Sequence, residues 1–75
     1  MGKRQIRVRQ QHLLNKKYEL EGITGHVIQT DHVVVHGRIL DIYPGAINVE
    51  NARSGLHHIP MATIFEVVYD QETEY

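Results

Sequence analysis

Seventy-five residues without a cysteine make one domain at most, exclude disulfides and thiolate metal sites, and bury only a modest fraction of their surface when folded alone. A formal charge of −1 hides a segregation: six of the eight Lys and Arg residues lie in the first seventeen positions with no acid among them, while two arginines and all nine carboxylates follow. No run approaches the roughly 18 apolar residues of a membrane span and the basic start lacks the apolar core of a secretory leader, so a cytoplasmic protein is expected.

Residues 1–17 read as a basic arm carrying Lys3, Arg4, Arg7, Arg9, Lys16 and Lys17, the natural contact for a polyanion or simply a solvated terminus. Ile6, Leu13 and Leu14 fall at i, i+7 and i+8, which predicts a short amphipathic helix. The competing reading takes Ile6-Arg7-Val8-Arg9 as an alternating strand. Residues 17–22 form a connector closed by Gly22 and Gly25.

From Thr24 the pattern is that of strands. Thr24 to Gln29 and His32 to Tyr43 are rich in β-branched residues and joined by the turn Thr30-Asp31-His32. Val33, Val35, Gly37 and Ile39 share one face, His32, Val34, His36 and Arg38 the other. After Ile39 the alternation slips, which predicts an extra residue near Gly37 or Leu40 and a sharp bend. Tyr43-Pro44-Gly45 is a turn with proline presetting φ and glycine at positive φ. Ala46 to Glu50 alternates with Ile47 and Val49 inward, Asn51 to Gly55 turns again, and Leu56 to Ile59 is a fourth strand ended by Pro60. Thr63 to Tyr69 is the last strand, with Phe65, Val67 and Tyr69 on one face and Ile64 and Val68 around Glu66 on the other. Apolar on both faces, it calls for cover on both, and one interior supplies only one. Asp70 to Tyr75 is an acidic, aperiodic tail, expected to be disordered or to fold back on the basic arm.

The hairpin turn, the apolar alternation, Gly37, Ile39 and the apolar residue at 42 together resemble the Sm-like family, above all its bacterial branch, Hfq, in a divergent and possibly phage-type form. The similarity runs without a gap from about Gly25 to Val49 and more loosely to Val68. It implies a mostly β protein: a short N-terminal α-helix (1–17), a strongly bent five-stranded antiparallel SH3-like (Sm-like) small barrel (18–69), then the tail (70–75). It also implies a homo-oligomeric ring of five to seven subunits in which the fourth strand of one copy pairs with the last strand of the next. Leu56, Ile59, Ile64, Phe65, Val67, Val68 and Tyr69 are the interface residues so expected. Such a contact consumes both sheet edges, and small domains without staples often gain burial by assembling.

The resemblance further implies single-stranded RNA on the pore rim, held by flat side chains and cations. Here Ile47-Asn48 matches the family's apolar-asparagine pair only with an inserted residue, Tyr43 replaces an acid, and Pro60-Met61-Ala62 stands where Tyr-Lys-His is usual. The candidate RNA-binding residues are therefore Lys3, Arg4, Arg7 and Arg9 on the arm and Tyr43, Asn48, His57 and His58 near the rim. Six histidines prompt a metal reading, but His32 and His36 stand roughly 13 Å apart along a strand and His57 and His58 point oppositely, so no metal site and no cofactor are expected. No nucleophile arrangement or phosphate loop occurs, so no enzyme and no small-molecule substrate are expected. The alternatives to an RNA-binding ring are a scaffold ring without RNA and a histidine-rich, metal- or pH-responsive protein.

Overall fold

The computed structural model describes residues 2–53 and 55–73, with side chains from Arg4 to Gln71 apart from Ser54. Six strands form one antiparallel sheet: β1 (Gly2–Arg9), β2 (Thr24–Gln29), β3 (Val34–Ile42), β4 (Ala46–Asn51), β5 (Gly55–Pro60) and β6 (Ile64–Thr73). Their order is β1-β6-β2-β3-β4-β5, and β1 and β5 remain the two open edges. A 3₁₀ turn (Gln10–His12) and a four-residue helix, α1 (Lys17–Leu20), link β1 to β2; a second 3₁₀ turn (Met61–Thr63) links β5 to β6.

The amphipathic helix expected in the first seventeen residues is a strand instead. Ile6 and Val8 lie opposite Tyr69 and Val67 and face the core, while Arg7 and Arg9 face out opposite Val68 and Glu66. The alternation of Ile6-Arg7-Val8-Arg9 was the governing signal, and the backbone donors and acceptors of β6 gave it a partner. The sheet therefore has six strands rather than five. Nor is the acidic tail disordered over the described residues: β6 runs to Thr73, with Asp70 opposite Gln5 and Glu72 opposite Lys3. β6 is thus hydrogen-bonded on both sides, by β1 and β2, and any strand pairing between copies falls to β1 and β5.

Two bulges set which side chains reach the interior. Between Ile39 and Asp41 the β3–β4 register shifts, so Leu40 is the extra residue that the slipping alternation predicts, and Ile42 returns to the core. A second lies opposite Ile28 and Gln29, which pair with Glu66 and Ile64. Phe65 is skipped, so Ile64 joins the face of Val67 instead of that of Val68, while Phe65 stays half exposed.

The interior is filled by Val8, Val27, Ile39, Ile47, Val49 and Val67, closed by Leu13 and Leu20 from the link between β1 and β2. Gly25 and Gly37 face each other across β2 and β3 on this inner side. A Cβ on Gly37 would strike the Glu50 carbonyl and lie 2.8 Å from Val49 Cγ1; one on Gly25 would lie 2.7 Å from the Val68 carbonyl. The absence of side chains leaves room for β4 beside Gly37 and for β6 beside Gly25. The Pro44-Gly45 turn closes with Tyr43 N–H donating to Ala46 O (2.8 Å), and Gly45 does so without entering positive φ.

α1 is too short to hold by propensity and is tied down by Lys17. Its ammonium donates to Glu21 Oε2 (2.7 Å) and the Ile42 carbonyl (2.6 Å), and lies 5.1 Å from the Tyr43 ring centroid. Hydrogen bonding to Glu21 raises the Lys17 pKa against some desolvation, and the same bond lowers that of Glu21, helped by the Ile42 N–H. A lowered carboxylate stabilises the fold above its unfolded pKa and loses that contribution as pH falls through its folded value. The stability difference between wild type and Glu21→Gln is therefore expected to be flat at neutral pH and to vanish in acid, below the ordinary carboxylate range. Urea melts at several pH values measure it.

Candidate functional site

The residues expected to bind RNA do not converge. Arg4, Arg7 and Arg9 stand on β1, whereas Tyr43, Asn48, His57 and His58 belong to the β3–β4 turn, β4 and β5, toward the opposite open edge. The side chain of Lys3 lies outside the described residues. Tyr43 is about half exposed and shares its ring with the Lys17 ammonium. Asn48 Oδ1 and His58 Nδ1 are 2.8 Å apart on the outer face, which requires the protonated Nδ1 tautomer as donor. The turn expected at the rim is closed from within: Gln10 Nε2 donates to Met61 O (2.6 Å).

The interface set divides similarly. Ile59, Ile64 and Val67 belong to the chain's own core, Val68 is buried, and Tyr69 packs partly against the core. Leu56 and Phe65 alone of that set stay exposed. β6 is paired along both edges, by β1 and by β2, and the bulge at Phe65 turns Ile64 to the side of Val67.

What β1 creates is a mixed face along its border with β6. Arg7 donates to Glu66 Oε2 at 2.7 Å, and Glu66 is the one buried charged residue among those described. Arg9 places its guanidinium carbon 5.7 Å from the centroid of Phe65, within cation–π range. Beside Phe65, a largely apolar recess of about 310 Å³ is lined by Ile28, Thr30, His32 and Glu66. A flat ring, a cation beside it and an apolar slot can take a stacked planar group with an anion attached.

Arg7 is more than half exposed, so its own charge costs little to hold, whereas Glu66 without it would keep a buried acceptor short of a partner. Arg7→Ala is expected to destabilise by about 2 kcal/mol, and Arg7→Ala with Glu66→Gln by less than the sum of the two single changes. Chemical denaturation of the four-member cycle gives the coupling.

Two further groupings were not anticipated from spacing. Arg38 and Arg53 line an open cleft of about 660 Å³ with Glu50 and Asn51, where β3 passes the β4–β5 turn. His26 and His36 meet across β2 and β3 with ring centroids 4.6 Å apart. The hairpin itself could have revealed the second: a turn at Thr30-Asp31-His32 pairs Gln29 with Val33 and, counting back, His26 with His36. Among the described residues no set of three or more His, Cys, Asp or Glu side chains could hold a metal, and no helix is long and apolar enough to cross a membrane. Compared with known proteins, the chain matches no family model, no curated protein and no solved structure.

Proposed function

We propose that this chain is a small β-barrel-like module that binds single-stranded RNA on the outer face of β1 and β6. The observation that carries the reading is Arg9 held over half-exposed Phe65, a base-stacking surface with a cation placed to meet phosphate. Topology supports it: leaving β1 aside, the order β6-β2-β3-β4-β5, with a 3₁₀ turn before the last strand, resembles an SH3-like barrel and so agrees with the Sm-like likeness. In this reading β1 is an added strand that carries the cations onto the sheet. Part of its charge is answered locally, by Glu66 on Arg7; Arg4 alternates onto the face of Ile6 and Val8, which leaves Arg9, beside Phe65, for phosphate on the outer face.

Fluorescence anisotropy with uridine- and adenine-rich oligonucleotides tests this. One phosphate contact, from Arg9, gives a slope of log affinity on log salt of roughly −0.7. Phe65→Ala costs about tenfold, and Arg9→Ala flattens the salt dependence. No binding at low salt overturns the reading.

A second reading, an oligomeric scaffold without RNA, is favoured by the open edges β1 and β5 and by Leu56, 66% exposed on β5. A ring of such copies would pair β5 of one with β1 of the next. Native mass spectrometry finds a multiple of the chain mass in that case and a single chain otherwise.

A further inference from the structure

We propose that His26 and His36 form a two-imidazole chelate for a borderline divalent transition ion of the Zn²⁺ or Ni²⁺ class. The site stands apart from the RNA reading and uses none of its residues.

The register fixes the pair. His26 lies directly opposite His36, with Val27 opposite Val35 and Ile28 opposite Val34. Gln29 N–H donates to Val33 O, and Ile39 N–H donates to Ile23 O. The hydrogen-bonded pairs of this ladder therefore fall at odd positions of β2, and His26 with His36 is a non-hydrogen-bonded pair. There opposing Cα atoms approach to about 4.5 Å and the side chains come closest. Both rings project from the outer face, opposite the inward Gly25 and Gly37.

The side-chain geometry suits a shared ion. The rings are tilted by 59° instead of stacked, so edge nitrogens can converge. A tetrahedral ion with Zn–N of about 2.0–2.1 Å needs its two nitrogens about 3.3 Å apart, a separation that rotation about the side-chain torsions supplies. Both residues are exposed, so that rotation leaves the core alone. Among the described residues neither ring has another hydrogen-bond partner to give up. The backbone beneath is held: the Asn51 side-chain amide donates to the His36 carbonyl, fixing β3 where β4 ends.

Around the pair is a small polar recess of about 160 Å³, to which Gln5, Thr24 and Asp70 also contribute. Asp70 adds negative charge nearby, but it is not a third ligand, since no three-residue metal set exists among the described residues. Two protein ligands leave the other positions to water, which makes the ion exchangeable and neither a structural nor a catalytic centre. Of the other described histidines, His58 is engaged with Asn48 and His12 with Gln11, and His32 sits in the hairpin turn at φ 70.

Calorimetry and ¹H–¹⁵N imidazole spectra of the untagged protein, titrated with zinc chloride, test the proposal. One ion per chain is expected, with shifts confined to the His26 and His36 rings. His26→Ala and His36→Ala should each weaken binding by at least about tenfold, while His58→Ala leaves it unchanged. Both positions being exposed, the metal-free melting midpoints of the two variants should match wild type, which separates a lost ligand from a lost fold. Saturable binding that survives in the double variant, shifts at other histidines, or no binding up to about 1 mM zinc, where the free energy falls to about 4 kcal/mol, overturns it.

Discussion

Gly37→Ala is expected to lower the melting midpoint by roughly 15 °C, on a cost of about 3 kcal/mol. The new methyl would be driven into the Glu50 carbonyl of β4, with Val49 Cγ1 at 2.8 Å. A side chain can turn aside, but a carbonyl fixed in a strand ladder moves only if β3 and β4 part. The effect is thus steric. Gly45→Ala is the control: its Cβ meets nothing within 4 Å and its φ is not positive, so a change within about 0.5 kcal/mol is expected. Were β3 straight at residue 37, alanine there would be neutral or stabilising. Thermal melts of the two variants decide between the cases.

Val8→Asp should cost about 4 kcal/mol, a large share of what a domain of this size has to lose. Val8 is 3% exposed, faces Val67, and joins the same apolar cluster as Leu13 and Leu20. Aspartate would forfeit that burial and need either a proton or water inside the sheet. In a frayed basic arm the same change would do nothing. Urea unfolding of Val8→Asp therefore weighs the N-terminal segment as core or as decoration, and Arg9→Asp, on the exposed side of the same strand, should fall well below it.

The stretch from Thr24 to Ile59 was legible because its signals are local. Alternation marked the strands, Asp31 accepts the Val33 N–H as turn chemistry suggests, and the slip after Ile39 announced the Leu40 bulge. β1 was ambiguous for a physical reason. Eight residues with period two at Ile6-Arg7-Val8-Arg9 and Leu13-Leu14 beyond fit either a strand and turn or one helix, and the partner that settles it lies about sixty positions away on β6. The Phe65 bulge was hidden likewise, since the apolar run Ile64-Phe65 carries no mark of which residue is skipped. Tail residues 70–73 lack periodicity and are ordered by the backbone groups of β1, which no reading of the tail alone contains.

The candidate site followed the same division. Cations at Arg4, Arg7 and Arg9 were evident, but that Arg7 would be committed to a buried Glu66 and Arg9 to Phe65 depended on which strand β1 joined. His26 and His36 sit ten positions apart and become neighbours only through the hairpin register.

All of this rests on β1 lying against β6, and nuclear Overhauser contacts between the two segments test it most directly. Cross-strand contacts linking Ile6 to Tyr69 and Val8 to Val67, with extended secondary shifts from Lys3 to Arg9, are the expected result. Sequential helical contacts through residues 4–17, with β6 showing one partner strand instead of two, would contradict the account.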